Sequence, residues 1–149
     1  MAYSHNQTQV LFASGMTATA SGDKAYWAPG YMPHIVRAAG VIITTSGSTT
    51  SGAVIAFKHI SIASGATASD LAVLTMTSGT STGGGTPTTA LVAGNVMYKD
   101  GLNVKVSPGQ KVVLNVRAAV TGVCGIRGWL WVEPSWENPL NNTVMFFTT

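Results

Sequence analysis

Polar and apolar residues alternate one by one along much of this 149-residue chain. A period of two marks strands with one face buried and one solvated. The cleanest instance is Leu102-Asn103-Val104-Lys105-Val106, where Leu102, Val104 and Val106 share one face and Asn103 and Lys105 the other. Lys111-Val112-Val113-Leu114-Asn115-Val116-Arg117 resumes the pattern with Val112, Leu114 and Val116 inward. Between them, Ser107-Pro108-Gly109-Gln110 places Pro and Gly at the central positions of a type II turn. The two runs therefore read as a hairpin. Further β-branched runs at 10–13, 34–44, 53–63, 71–76, 91–98, 126–132 and 143–147 bring the total to about nine strands. No window of about 11 or more residues carries helical spacing with caps. The pattern predicts an all-β fold, a single-domain antiparallel β-sandwich of jelly-roll type over residues 1–149. Residues 1–8 read as an N-terminal arm, 77–89 as a flexible Gly/Ser/Thr loop and 134–149 as a C-terminal tail.

Two strands break the alternation. The run from Ala53 to Ile62 and the run Trp129-Leu130-Trp131-Val132 are apolar on both faces. Such strands are covered on both faces, by a loop of the same chain or by another subunit. The pattern leaves both covers open, and composition bears separately on assembly. Only 9% of the residues are charged and mean hydropathy is +0.29, whereas about a quarter of an ordinary domain is charged. Charge keeps an exterior solvated and separate, and no apolar run reaches the ~18–20 residues of a bilayer span. A chain this neutral is expected to cover its surface with protein, most simply by forming a homo-oligomer such as a trimer.

Chemistry is thin by comparison. Asp23, Asp70, Asp100, Glu133, Glu137, His5, His34 and His59 are the candidate acids and bases, and none pairs at a spacing that forms a catalytic constellation. No Gly-x-Ser-x-Gly elbow accompanies the many serines. Cys124 reads as a packed thiol. The three His and one Cys lack metal-ligand spacing. The chain is therefore expected to be no enzyme, with no catalytic residue, metal or cofactor. Net charge is +3, but the eight Lys and Arg are scattered, without the cluster that phosphate contacts require. Neither direct nucleic-acid binding nor membrane association is expected.

The aromatic residues do cluster. Tyr26-Trp27-Ala28-Pro29-Gly30-Tyr31-Met32-Pro33 reads as a Pro-Gly-bounded loop, and Trp129, Trp131 and Trp136 fall within eight residues. Aromatic residues and Met are enriched at interface centres, so Trp27, Tyr31, Met32, Trp136, Phe146 and Phe147 are the candidate partner contacts. The competing reading is that tryptophans fill the core of a small sandwich. An aromatic loop could also serve as a platform for sugar rings.

The C-terminal third carries a resemblance. It runs from Gly101-Leu102-Asn103-Val104-Lys105-Val106 through Ser107-Pro108-Gly109-Gln110 and Lys111–Val116, then through Gly128-Trp129-Leu130-Trp131-Val132-Glu133-Pro134-Ser135-Trp136-Glu137-Asn138-Pro139 to Asn141-Asn142-Thr143. A strand, a Pro-Gly turn, a strand, an aromatic strand and an Asn-Pro tail resemble the small β-sandwich decoration, or cement, proteins of tailed-phage capsids. The resemblance covers about the last 50 residues. It implies a structural virion protein, often trimeric, that sits on the capsid exterior, binds the major capsid lattice and is made in the host cytoplasm. The alternative is a glycan- or receptor-binding module of a phage tail or fibre, or a lectin-like domain.

Overall fold

A computed structural model describes residues 7–46, 52–61, 68–77, 88–90 and 92–135. The described chain forms β1 (Thr8–Leu11), β2 (Met16–Thr17), β3 (Gly22–Trp27), β4 (His34–Thr45), β5 (Ala53–Ile60), β6 (Ala68–Thr77), β7 (Thr88–Ala90), β8 (Val96–Lys99), β9 (Val104–Val106), β10 (Lys111–Ala118) and β11 (Gly125–Pro134). One sheet has the order β1-β11-β4-β8, with β2 also on β11 and β9 also on β4. The second has the order β3-β10-β5-β6-β7. All pairings are antiparallel except β6 with β7. The fold is all-β, two packed sheets forming a sandwich. The chain changes sheet repeatedly, so apart from β5-β6-β7 the neighbours within a sheet are distant in sequence.

The alternating residues explain the packing. Val36, Val41, Ile43 and Leu130 from the first sheet meet Ile55, Phe57, Leu74 and Leu114 from the second in one continuous apolar core. Phe12, just past β1, lies 6.0 Å from the Phe57 ring, centroid to centroid. Gly128 on β11 has no room for a Cβ, which would collide with Leu114 Cδ1. The Leu114 side chain therefore fills the space over the Gly128 backbone, a close approach that a strand glycine permits.

The hairpin expectation fails in an instructive way. Ser107–Gln110 does form the type II turn, with Gly109 at φ +88° and the Gln110 amide donating to the Ser107 carbonyl at 2.9 Å. Yet β9 pairs with β4, whereas β10 pairs with β3 and β5. The turn is an arch that carries the chain from one sheet to the other. Alternation and turn type are local properties, and both are satisfied equally by a hairpin and by an arch.

Other expected boundaries also move. Thr8 opens a strand rather than closing an arm, and residues 1–6 lie outside the described residues. Tyr26 and Trp27, read as loop, end strand β3. The ends of the 77–89 run belong to β6 and β7, while 78–87 fall outside the described residues. Pro134 of the expected tail completes β11. Trp136, Phe146, Phe147 and the expected strand at 143–147 lie outside the described residues.

Candidate functional site

The outer face of the six-stranded sheet is built from cross-strand rows. Leu11 pairs with Trp129, Trp129 with Gly40 and Gly40 with Tyr98. The row on one side is Gln9, Trp131 and Ala38, and that on the other is Arg127, Ile42 and Val96. Paired residues project to the same side of a sheet, so these rows form one surface. Its centre is apolar. Leu11, Val96, Tyr98 and Trp131 are 37–48% exposed, although each is a large hydrophobic side chain.

Gly40 sets the shape of this surface. A Cβ there would run into the Trp129 indole and the Met97 carbonyl. The bare backbone lets Trp129 lie across β4 toward Tyr98, with ring centroids 6.3 Å apart. Trp129 is consequently only 7% exposed although it points away from the core. The second face of this doubly apolar strand is thus covered in part by its own neighbours, and Trp131 beside it stays open.

Charge is confined to the rim. Arg127 stands at one end, half-buried, its Nε donating to the Phe12 carbonyl at 3.4 Å. At the other end Ile35 pairs with Glu133 and with Lys105. Arg37 is the extra residue of a bulge, since the register steps from Trp131–Ala38 to Val132–Val36 and leaves it unopposed. Bulges re-aim side chains, and here Arg37 Nε reaches Glu133 Oε1 at 2.7 Å while Nη1 reaches Asn103 Oδ1 at 2.8 Å. With that ion pair neutral, Arg127 and Lys105 leave the rim basic.

The opposite outer face is different in kind. Tyr26, Val113, Lys58 and Asp70 form one of its rows, and Asp23, Asn115, Ala56 and Val73 the next. Its charges are paired in place. Arg117 Nη2 lies 2.8 and 3.0 Å from the two Asp70 oxygens, and Asn115 Nδ2 donates to Asp23 Oδ1 at 2.6 Å. Lys58 Nζ stands 3.6 Å from the same Asp23 oxygen.

The expected contact residues are dispersed. Trp27 packs partly against the core and meets His34 edge-on, ring centroids 5.7 Å apart. Tyr31 is fully exposed at the bend beyond β3. Met32 is half-buried, and its carbonyl accepts a hydrogen bond from His34 Nδ1 at 3.0 Å. None of the three belongs to the apolar face. Leu11, Val96 and Tyr98, which do, lie in the expected strands 10–13 and 91–98 but are not among the expected contacts. The signal that marks the site is Gly40, a glycine inside strand β4, where close approach of another group is a usual reason.

Cys124 is buried, and that desolvation raises its thiol pKa above the ordinary value. Such a thiol is a packing group. Among the described residues, no three His, Cys, Asp or Glu side chains gather to hold a metal, and no helix is long and apolar enough to cross a membrane. Compared with protein-family models, with curated proteins and with solved structures, the chain matches none.

Proposed function

We propose that this chain is a structural virion protein that seats on a capsid shell from outside, as a decoration or cement protein does. The observation that supports the reading is the apolar outer face of the six-stranded sheet, with Trp131, Tyr98, Leu11 and Val96 exposed around a covered Trp129. Protein interfaces have an apolar, aromatic centre and a polar rim, and burial of the centre contributes about 25 cal/mol per Å². The basic rim of Arg127 and Lys105 suits a lattice surface with an acidic surround. Two copies docked through this same face would set cation against cation. Self-association as a homotrimer therefore engages another part of the surface, with the fully exposed Tyr31 as its foremost anchor.

Protein stoichiometry of particles purified from the chain's source tests the reading. A cement protein is present at hundreds of copies per particle, and a Trp131→Glu variant is expected to lose attachment while remaining folded. A handful of copies would contradict the reading and favour a tail or fibre module.

A further inference from the structure

The sheet opposite the docking face holds a second feature of a different kind. Strand β3 lies at the edge of its sheet, and its pairing with β10 slips between Leu114 and Asn115. Leu114 opposes Ala25 and Asn115 opposes Asp23, so Lys24 is the extra residue of a bulge. The slip opens a shallow hollow of about 190 Å³ lined by Asp23, Lys24, Ala25, Tyr26, Lys111 and Val113.

Three properties of this hollow point to one ligand chemistry. Tyr26 is 67% exposed, a large aromatic surface offered to solvent beside a concavity. Lys111 Nζ stands over the Tyr26 ring, 5.3 Å from its centroid, so a cation is held against that surface. The Asp23 carboxylate is fixed in position by Asn115 and Lys58 rather than left to rotate. An ionised carboxylate only accepts hydrogen bonds, which repels a densely charged phosphate and rewards a hydroxyl. With Lys24 and Lys111 on the lining, the hollow nevertheless carries a net positive charge. An aromatic plate, fixed acceptor and cations together suit a ring that bears both hydroxyls and a carboxylate. The volume lies below the ~300 Å³ at which pockets begin to enclose drug-sized ligands, and it suits one pyranose ring of a longer chain.

We propose that this hollow binds an acidic saccharide of the uronic-acid type. The sugar's C–H face packs on Tyr26, its carboxylate meets Lys111 and Lys24, and a hydroxyl donates to Asp23. The site lies on the sheet opposite the docking face, so it is independent of the proposed capsid attachment. The purified chain alone suffices to test it.

The experiment is a ligand-observed and protein-observed NMR titration with a glucuronic acid trisaccharide. Maltotriose serves as the neutral control and inorganic phosphate as the simple anion. Saturable binding of the glucuronate is expected, with the Tyr26 ring resonances shifting and maltotriose binding far more weakly. Tyr26→Ala and Lys111→Met should each weaken binding by roughly tenfold, about 1.4 kcal/mol, with thermal unfolding little changed. Lys99→Met, which removes an exposed cation outside the hollow, should leave binding intact. The proposal is overturned by no binding at tens of millimolar, by equal binding of maltotriose, by competitive displacement with phosphate, or by wild-type affinity in either Tyr26→Ala or Lys111→Met.

Discussion

The two outer faces of this sandwich rest on the same core yet solve the problem of exposure differently. On the five-stranded sheet, outward positions carry Asp23, Lys58, Asp70 and Arg117, and they are paired with one another across strands. On the six-stranded sheet, outward positions carry Trp129, Trp131, Tyr98, Ile42 and Leu11, and charge is pushed to the rim. A sheet packed on one side ordinarily shows water a polar face; the five-stranded sheet meets this with paired charges, set among the outward Tyr26, Val113, Ala56 and Val73. The six-stranded sheet departs from this across its width, with Leu11 on β1, Trp131 on β11 and Val96 and Tyr98 on β8 exposed.

The largest effect should come from the core that both faces share. Leu114 is fully buried and packs against the Gly128 backbone. Leu114→Ala should cost about 2–5 kcal/mol in chemical denaturation, the range for a large cavity. A loss near zero would mean that the sheets do not pack at this register. Next is Gly40→Ala, which drives a methyl into the Trp129 indole. Overpacking of this kind costs about 1–3 kcal/mol, and Trp129 fluorescence should shift as the ring is displaced toward solvent. Gly40→Ala with unchanged stability and emission would show that Trp129 does not lie across β4.

Asn115→Ala should cost less, about 1 kcal/mol. Outward alternation alone would make this position nearly neutral, but Asn115 is buried and bonded to Asp23. A net hydrogen bond contributes about 0.5–1.5 kcal/mol, and the exposed side of Asp23 weakens this one. The smallest effect separates the faces most sharply. Tyr98→Ser should change stability by less than about 0.5 kcal/mol, as exposed positions do, while weakening attachment to the particle. Arg117→Ala on the other sheet should be comparably mild in stability, because exposed ion pairs contribute little, and it should leave attachment unchanged. If both variants attach equally well, the two faces do not differ in function.

Much of the sandwich was legible in single residues. The alternation of Val112, Leu114 and Val116 places them in the core, and the 34–44, 53–63 and 126–132 runs lie within three residues of β4, β5 and β11. What escaped was pairing across long stretches of chain. The Pro108-Gly109 turn is the same object in a hairpin and in an arch, so nothing local distinguishes β9 on β4 from β9 on β10. Strand β3 was hidden by the Pro29, Gly30 and Pro33 that follow it, which draw the eye to a loop and obscure the extended residues before it. The apolar face was half visible. Trp129 and Trp131 announced a strand apolar on both sides, but Tyr98 and Leu11 join them only through pairings that bring residues 11, 40, 98 and 129 into one row. Registers of that span come from the whole fold.

Hydroxyl-radical footprinting of the free chain and of the same chain on its particle tests the docking face directly. Trp131, Tyr98 and Leu11 should be oxidised readily in the free chain and protected on the particle, while Tyr26 on the opposite sheet stays equally reactive in both. Protection of Tyr26 with continued oxidation of Trp131 and Tyr98 would contradict the assignment of the six-stranded sheet as the docking face.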